Sequence, residues 1–146
     1  MILPVSRYLK RFAIHQSSME PIFQKGDRIL AGSVKLIGLK RGDVAFFKDA
    51  VSGIFRVKRV IGLPCEKLEI RNGGILINDR KLADYVHGLT HPSSHGPVLI
   101  PQDHYFLMGD RRDVSEDSRD FGPVPLERIL YKALAIYRPF GHFKIL

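Results

Sequence analysis

Apolar residues along this chain fall in short runs, and the runs are separated by residues that turn the backbone. Segments 28–31, 44–47 and 54–61 have strand length. Lys25-Gly26-Asp27, Arg41-Gly42-Asp43, Ser52-Gly53 and Gly62-Leu63-Pro64 punctuate them. Over Lys67–Arg71 the pattern alternates, with Leu68 and Ile70 on one face. Asn72-Gly73 then supplies the residues a two-residue hairpin turn requires, and 75–77 returns. A further apolar strand is expected over 105–108. Near the end, Ile129, Leu130, Ala133, Leu134 and Tyr137 fit a helical period as well as an extended one, and periodicity leaves both open. The pattern as a whole predicts a mainly β fold of short strands.

Composition narrows this. A chain of 146 residues with 45% hydrophobic content can build one domain with a proper core, expected over residues 1–146, and is too short for two of ordinary size. Thirteen Gly and nine Pro are scattered between the apolar runs, as many turns would require. From 84 to 101 the chain turns to His, Ser, Pro and Gly, which reads as a surface loop or an insertion. His87, His91 and His95 raise the question of a metal, but Pro92, Gly96 and Pro97 break the helix that would align them, and no Cys or carboxylate completes a ligand set. Cys65 is the single cysteine, which excludes an internal disulfide. The longest apolar stretch, 133–137, is far below the roughly 18 residues of a spanning helix. Arg7, Lys10 and Arg11 interrupt the apolar residues at the start, so it does not read as a secretory signal. A net charge of +8 suits an anionic surface, yet the basic residues are spread along the chain and no DNA-recognition helix or zinc-finger spacing accompanies them.

Three segments carry candidate chemistry. In Ser17-Ser18-Met19-Glu20-Pro21, Pro21 restrains the backbone, and a serine at such a turn can present its hydroxyl at a strand end. By itself this is equally a capping or turn serine. A nucleophilic serine needs a base, and no histidine sits where a triad partner would. Lysine serves as a base once burial disfavours its ammonium form. Lys58, within Ile54-Phe55-Arg56-Val57-Lys58-Arg59-Val60-Ile61, has β-branched and aromatic neighbours able to exclude water, although a lysine on a solvent face would look the same. Finally, Gly109-Asp110-Arg111-Arg112-Asp113-Val114-Ser115-Glu116-Asp117-Ser118-Arg119-Asp120-Phe121-Gly122 is dense in charges and hydroxyls, as in a loop built on its own hydrogen bonds and ion pairs.

Taken in order, these residues resemble the signal peptidase I family of serine-lysine proteases (S26 type). Ser18-Met19-Glu20-Pro21 is similar to its nucleophile box. It is followed by Gly26-Asp27-Arg28-Ile29-Leu30 and Arg41-Gly42-Asp43-Val44. Lys58-Arg59-Val60-Ile61-Gly62-Leu63-Pro64 is similar to the box of the lysine base, and 109–122, continuing into Pro123-Val124-Pro125, resembles the last box. The resemblance covers most of the chain. It implies a catalytic domain of short antiparallel strands and hairpins with little helix. It also implies an endopeptidase without cofactor that cuts secretory preproteins after small side chains at −1 and −3. The expected place is the extracytoplasmic face of a cell membrane, with the membrane surface and the preprotein's signal peptide as partners and no nucleic acid. Carried over by position, Ser18 is the nucleophile and Lys58 the general base. Ser115 is the hydroxyl that orients the lysine amine. Asp117 and Arg119 are a bracing ion pair with Arg59 close by, and Asp110 and Ser118 are further supports.

Three positions depart from the family pattern. Many members have an oxyanion-binding serine two residues before the nucleophile, where this chain has Gln16. Leu63-Pro64-Cys65-Glu66 stands where Pro-Gly-Asp is usual, and Cys adopts positive φ less freely than Gly. The family's amino-terminal membrane anchor has no counterpart in this chain, which makes it a trimmed catalytic fragment, the product of a misplaced start, or a soluble relative. Two other functions fit some of the same residues. One is an inactive peptide-binding homologue. The other is a self-cleaving repressor-type domain, which would need a DNA-binding domain that 17 residues before Ser18 leave no room for.

Overall fold

The computed structural model describes residues 7–83 and 93–146, and the architecture is mostly antiparallel β. In chain order the elements are β1 (Leu9–Ala13), β2 (Arg28–Ser33), the single-turn helix α1 (Val34–Ile37), β3 (Val44–Lys48), β4 (Phe55–Gly62), β5 (Lys67–Arg71), β6 (Gly74–Ile77), β7 (Arg80–Lys81), β8 (His95–Leu99), β9 (His104–Met108), α2 (Ser118–Phe121), β10 (Val124–Pro125), β11 (Ile129–Arg138) and β12 (Lys144–Ile145). The larger sheet runs β1-β2-β11-β3-β4-β9-β10, with β12 on β11, and a smaller one runs β7-β6-β5-β8.

The expected strands form, and their burial explains why the sequence announced them. Strand β3 reads Val-Ala-Phe-Phe without alternation because both its faces are covered. Val44 and Phe46 join a cluster with Ile14, Met19, Phe23, Ile29, Ala31 and Ile136, while Ala45 and Phe47 join Val34, Val60, Leu107, Val124 and Ile129 on the other side. Strand β5 alternates because only Leu68 and Ile70 face a third cluster, shared with Ile61, Ile75, Ile77, Ile100, Phe106 and Met108. Asn72 and Gly73 both take positive φ (50° and 82°), the conformation of the primed turn their sequence favours.

Two segments needed the structure. The 129–138 run, open between helix and strand, is extended because it hydrogen-bonds β2 on one edge and β3 on the other. Its register shifts near Ala133 and Ile136 are bulges, which disturb the strand period and let a helical one fit equally well. The second is the segment read as a loop or insertion over 84–101. Residues 84–92, with His87 and His91, lie outside the described residues, but His95–Leu99 is a strand pairing β5 rather than loop. Its Gly and Pro fit an edge strand, where Pro97 costs no ladder bond, and Gly96 takes φ 85° beside a register shift. Among the described residues no group of His, Cys, Asp and Glu could hold a metal ion.

The atypical turn after β4 is held despite its Cys. Cys65 adopts φ 66°, its N–H donates to the Ile100 carbonyl at 2.9 Å, and Glu66 accepts from the Leu63 N–H at 2.8 Å. Arg41 clamps Glu66 with two hydrogen bonds and donates a third to the Ile61 carbonyl. Gly62, which ends β4, is packed so closely that a Cβ there would lie 2.9 Å from Phe106 Cβ and 3.0 Å from Leu68 Cδ1. The strand that carries Lys58 is thereby fixed at its far end.

Candidate active site

Ser18 stands on the turn that follows Ile14. Met19 and Phe23, 1% and 0% exposed, bury themselves on either side of Glu20–Ile22, and the Phe23 N–H donates to the Met19 carbonyl. The apolar residues therefore anchor the turn and leave the Ser18 hydroxyl at its edge. From the other side, the Arg111 N–H donates to the Ser18 carbonyl at 3.0 Å, and Arg111 pairs with Glu20 at 2.9 Å. Gly109 closes the gap. A Cβ on it would lie 2.7 Å from the Ser18 carbonyl oxygen and nearer still to the Ser115 side chain, so only glycine lets the two segments meet here.

Lys58 comes from β4, opposite Ala45 of β3, and is 3% exposed. Its Nζ lies 2.7 Å from Ser18 Oγ, across 40 residues of sequence. Burial is the largest influence on this amine and lowers its pKa from 10.5 to about 8. Asp117 and Glu116 push it up, and Arg56 and Arg119 push it down. A lysine so placed is neutral in a substantial fraction of molecules near pH 8, and only the neutral amine can accept a proton.

Asp117, fully buried, organises the surrounding loop. One of its oxygens accepts from the Gly109 N–H at 2.9 Å, the Ser115 hydroxyl at 2.7 Å and Arg119 Nη2 at 3.0 Å. The other accepts from Arg119 Nε and its N–H. Burial would raise its carboxyl, but the Arg119, Gly109 and Ser115 bonds outweigh that and hold it below the usual carboxylate range. It also caps α2, with Asp120 accepting from the Asp117 N–H in return. Ser118, 1% exposed, accepts from the Leu107 N–H at 2.9 Å and so ties the loop to β9.

The structure refines several positions carried over from the resemblance. Arg59, expected close to the Asp117–Arg119 pair, grips Asp110 through Nε at 2.8 Å and Nη2 at 2.6 Å and donates to the Gly42 carbonyl. The Ser115 hydroxyl proton is spent on Asp117, and Ser18 is the one hydrogen-bond partner of Lys58 among the described residues. Gln16 is exposed and makes no hydrogen bond to the dyad. Gly109 was visible in sequence only as part of a motif, since its role depends on which segment it faces. Arg112 gave no sequence signal, yet it is buried beside both ion pairs.

Comparison with known proteins identifies the family. The family model described as signal peptidase, peptidase S26, matches residues 1–138. Signal peptidase I T of Bacillus subtilis (strain 168) is 33% identical over 91% of this chain and 76% of its own length. A signal peptidase I of Bacillus amyloliquefaciens is 34% identical over 88% of this chain and 74% of its own. The crystal structure of a signal peptidase I from Enterococcus faecalis V583 superposes with a TM-score of 0.53 at 29% identity, covering 62% of this chain and 92% of that one. A family match over nearly the whole chain, with relatives a third identical along most of their own length, places this chain in the signal peptidase family, peptidase S26, as a hydrolase that removes signal peptides.

Proposed function

We propose that this chain works through a Ser18–Lys58 dyad, and the observation that carries the proposal is the 2.7 Å contact between a buried lysine amine and a serine hydroxyl. That separation serves proton transfer in either direction. With the amine neutral, Lys58 takes the Ser18 proton as Oγ attacks the scissile carbonyl carbon. The tetrahedral intermediate collapses, the C–N bond breaks, and the Lys58 ammonium returns its proton to the leaving amine. Water then attacks the acyl-enzyme, Lys58 accepting one of its protons and handing it to Ser18 as the ester bond breaks. The Ser18 N–H makes no internal hydrogen bond among the described residues and is one donor to the oxyanion.

A bare strand edge supports substrate docking beside the dyad. Strand β4 pairs β3 along 55–59, but β9 begins pairing it only at Arg59, so the β9-side edge of 55–58 has no strand partner. An extended peptide can add itself there through main-chain hydrogen bonds. Residues −1 and −3 of a strand then face the same way. Small side chains at −1 and −3 would therefore lie on one face of the added strand. The substrate is a secretory preprotein, the domain spans residues 1–146, and the cut is made at the extracytoplasmic membrane face. Among the described residues no helix is long and apolar enough to cross a membrane. Exposed Phe140, Phe143 and Ile145, interleaved with Arg138 and Lys144, give the chain a surface suited to anionic lipid.

The test is cleavage of a preprotein carrying Ala at −3 and −1, in the presence of anionic vesicles. Wild type is expected to cut once, after the second Ala, to float with the vesicles, and to leave a precursor with Phe at −1 uncut. Ser18→Ala is expected to cut neither. Cleavage by Ser18→Ala, or no cleavage by folded wild type, would remove the reading.

A further inference from the structure

Three guanidiniums, Arg59 of β4 and Arg112 and Arg119 of the 109–122 loop, cluster with two buried carboxylates, Asp110 and Asp117. Arg59 presents its Nε and Nη2 edge to Asp110, and Arg119 presents the same edge to Asp117. The third, Arg112, is 9% exposed, and its Nε and Nη2, again that edge, are buried without a hydrogen-bond partner. Buried polar groups in folded proteins are almost always satisfied, and a charged group more strictly than a neutral one. Its surroundings lower the Arg112 pKa to about 10, chiefly by burial, yet it stays charged at neutral pH. Asp110 and Asp117 are already committed to the other two arginines, and no ion pair joins Arg112 to Asp120.

Arg112 forms part of the wall of a hollow of about 250 Å³, together with Ser93, Ser94, His95, Ser115, Arg119 and Asp120. Ser94 Oγ accepts from the Asn72 N–H, so its own proton is free to donate. Ser115 gives its proton to Asp117, and Asp120 accepts from the Asp117 N–H. The walls thus bring together Arg112, whose Nε and Nη2 edge is unpaired, with hydroxyls and an imidazole. A guanidinium edge matches two oxygens of one anion. Hydroxyl donors beyond that pair suit the additional oxygens of a tetrahedral phosphate, which a carboxylate lacks.

We propose that the hollow beside Arg112 binds a phosphate group, held by the Arg112 Nε and Nη2 edge with Ser93 and Ser94 as further donors. Those two nitrogens are shielded in the structure, so binding requires the guanidinium to turn its edge into the hollow. Free phosphate and the phosphodiester of an anionic lipid share this chemistry. The site is separate from the Ser18–Lys58 pair and does not depend on that dyad being catalytic.

Calorimetric titration of the full chain with inorganic phosphate, at constant ionic strength in chloride, reads the site directly. Wild type is expected to bind saturably at one site. Arg112→Gln is expected to bind roughly tenfold or more weakly, while Lys35→Gln, which changes net charge equally at an exposed position, is expected to match wild type. Ser94→Glu, which places a carboxylate in the wall and leaves Arg112 intact, is expected to abolish binding and guards against misfolding of the Arg112 variant. A parallel arm measures binding to phosphatidylglycerol and phosphatidylcholine vesicles. Phosphatidylglycerol binding that weakens in Arg112→Gln and is competed by phosphate identifies a lipid head group as the source; phosphate binding alone identifies the free ion. Non-saturating phosphate binding, or equal binding by wild type, Arg112→Gln and Ser94→Glu, would overturn the site.

Discussion

Replacing Lys58 with Ala or Met is expected to lower kcat by about 10³-fold or more while leaving the fold intact, because the Ser18 hydroxyl then has no base within reach. The Met variant carries a second expectation, in stability. Lys58 has a pKa near 8 in the folded chain and 10.5 when unfolded. Between those values the unfolded state binds more protons, so stability rises with pH across the window and the full cost of burying the amine is present below pH 8. A displacement of that size corresponds to about 3 kcal/mol. Lys58→Met, which keeps the stem and removes the charge, is therefore expected to be more stable than wild type at pH 7 and to show no such rise towards pH 10. Urea denaturation at both pH values checks this. A variant that stays fully active, or is much less stable at pH 7, would contradict the placement of Lys58.

Asp117→Ala is expected to have the largest effect on stability, about 3–5 kcal/mol at neutral pH, because it strands the largely buried Arg119 guanidinium (13% exposed) and removes the acceptor of Gly109 and Ser115. Activity is expected to fall with it, since Gly109 and Arg111 hold the Ser18 turn. The folded pKa of Asp117 is lowered, so its contribution is present above the unfolded value of 3.8 and is lost as pH falls through the folded one. The gap between wild type and variant should therefore narrow in strong acid. Equal stability of the two at pH 7 would show that the network braces nothing.

How much of this the sequence disclosed depended on the physical signal each part carries. Strands buried on one or both faces were legible, because Leu68 and Ile70 alternate and 44–47 does not. The Asn72-Gly73 turn was legible because its φ values are a property of those residues. Strand β8 was not: an edge strand tolerates His, Gly and Pro, the same composition that marks a loop. In β11 the bulges blurred the period.

The site divides in the same way. Ser18 and Lys58 could be named from motifs, but neither the 2.7 Å contact nor the burial of the amine follows from local pattern, since the partners are brought together by β3, β4 and the 109–111 segment. Within the charged loop, sequence could not assign partners. Several Asp and Arg alternate within a few residues, and it is packing that gives Asp110 to Arg59, Asp117 to Arg119, and nothing to the Nε and Nη2 of Arg112.

The central claim is that Lys58 is a base made available by burial, and the measurement that tests it most directly is an NMR titration of the Lys58 side chain alongside the pH dependence of kcat/KM. Lys58 is expected to titrate near pH 8, and activity to rise with pH along an acid limb at the same value. A Lys58 titrating near 10.5, in an enzyme already fully active at pH 7, would contradict it.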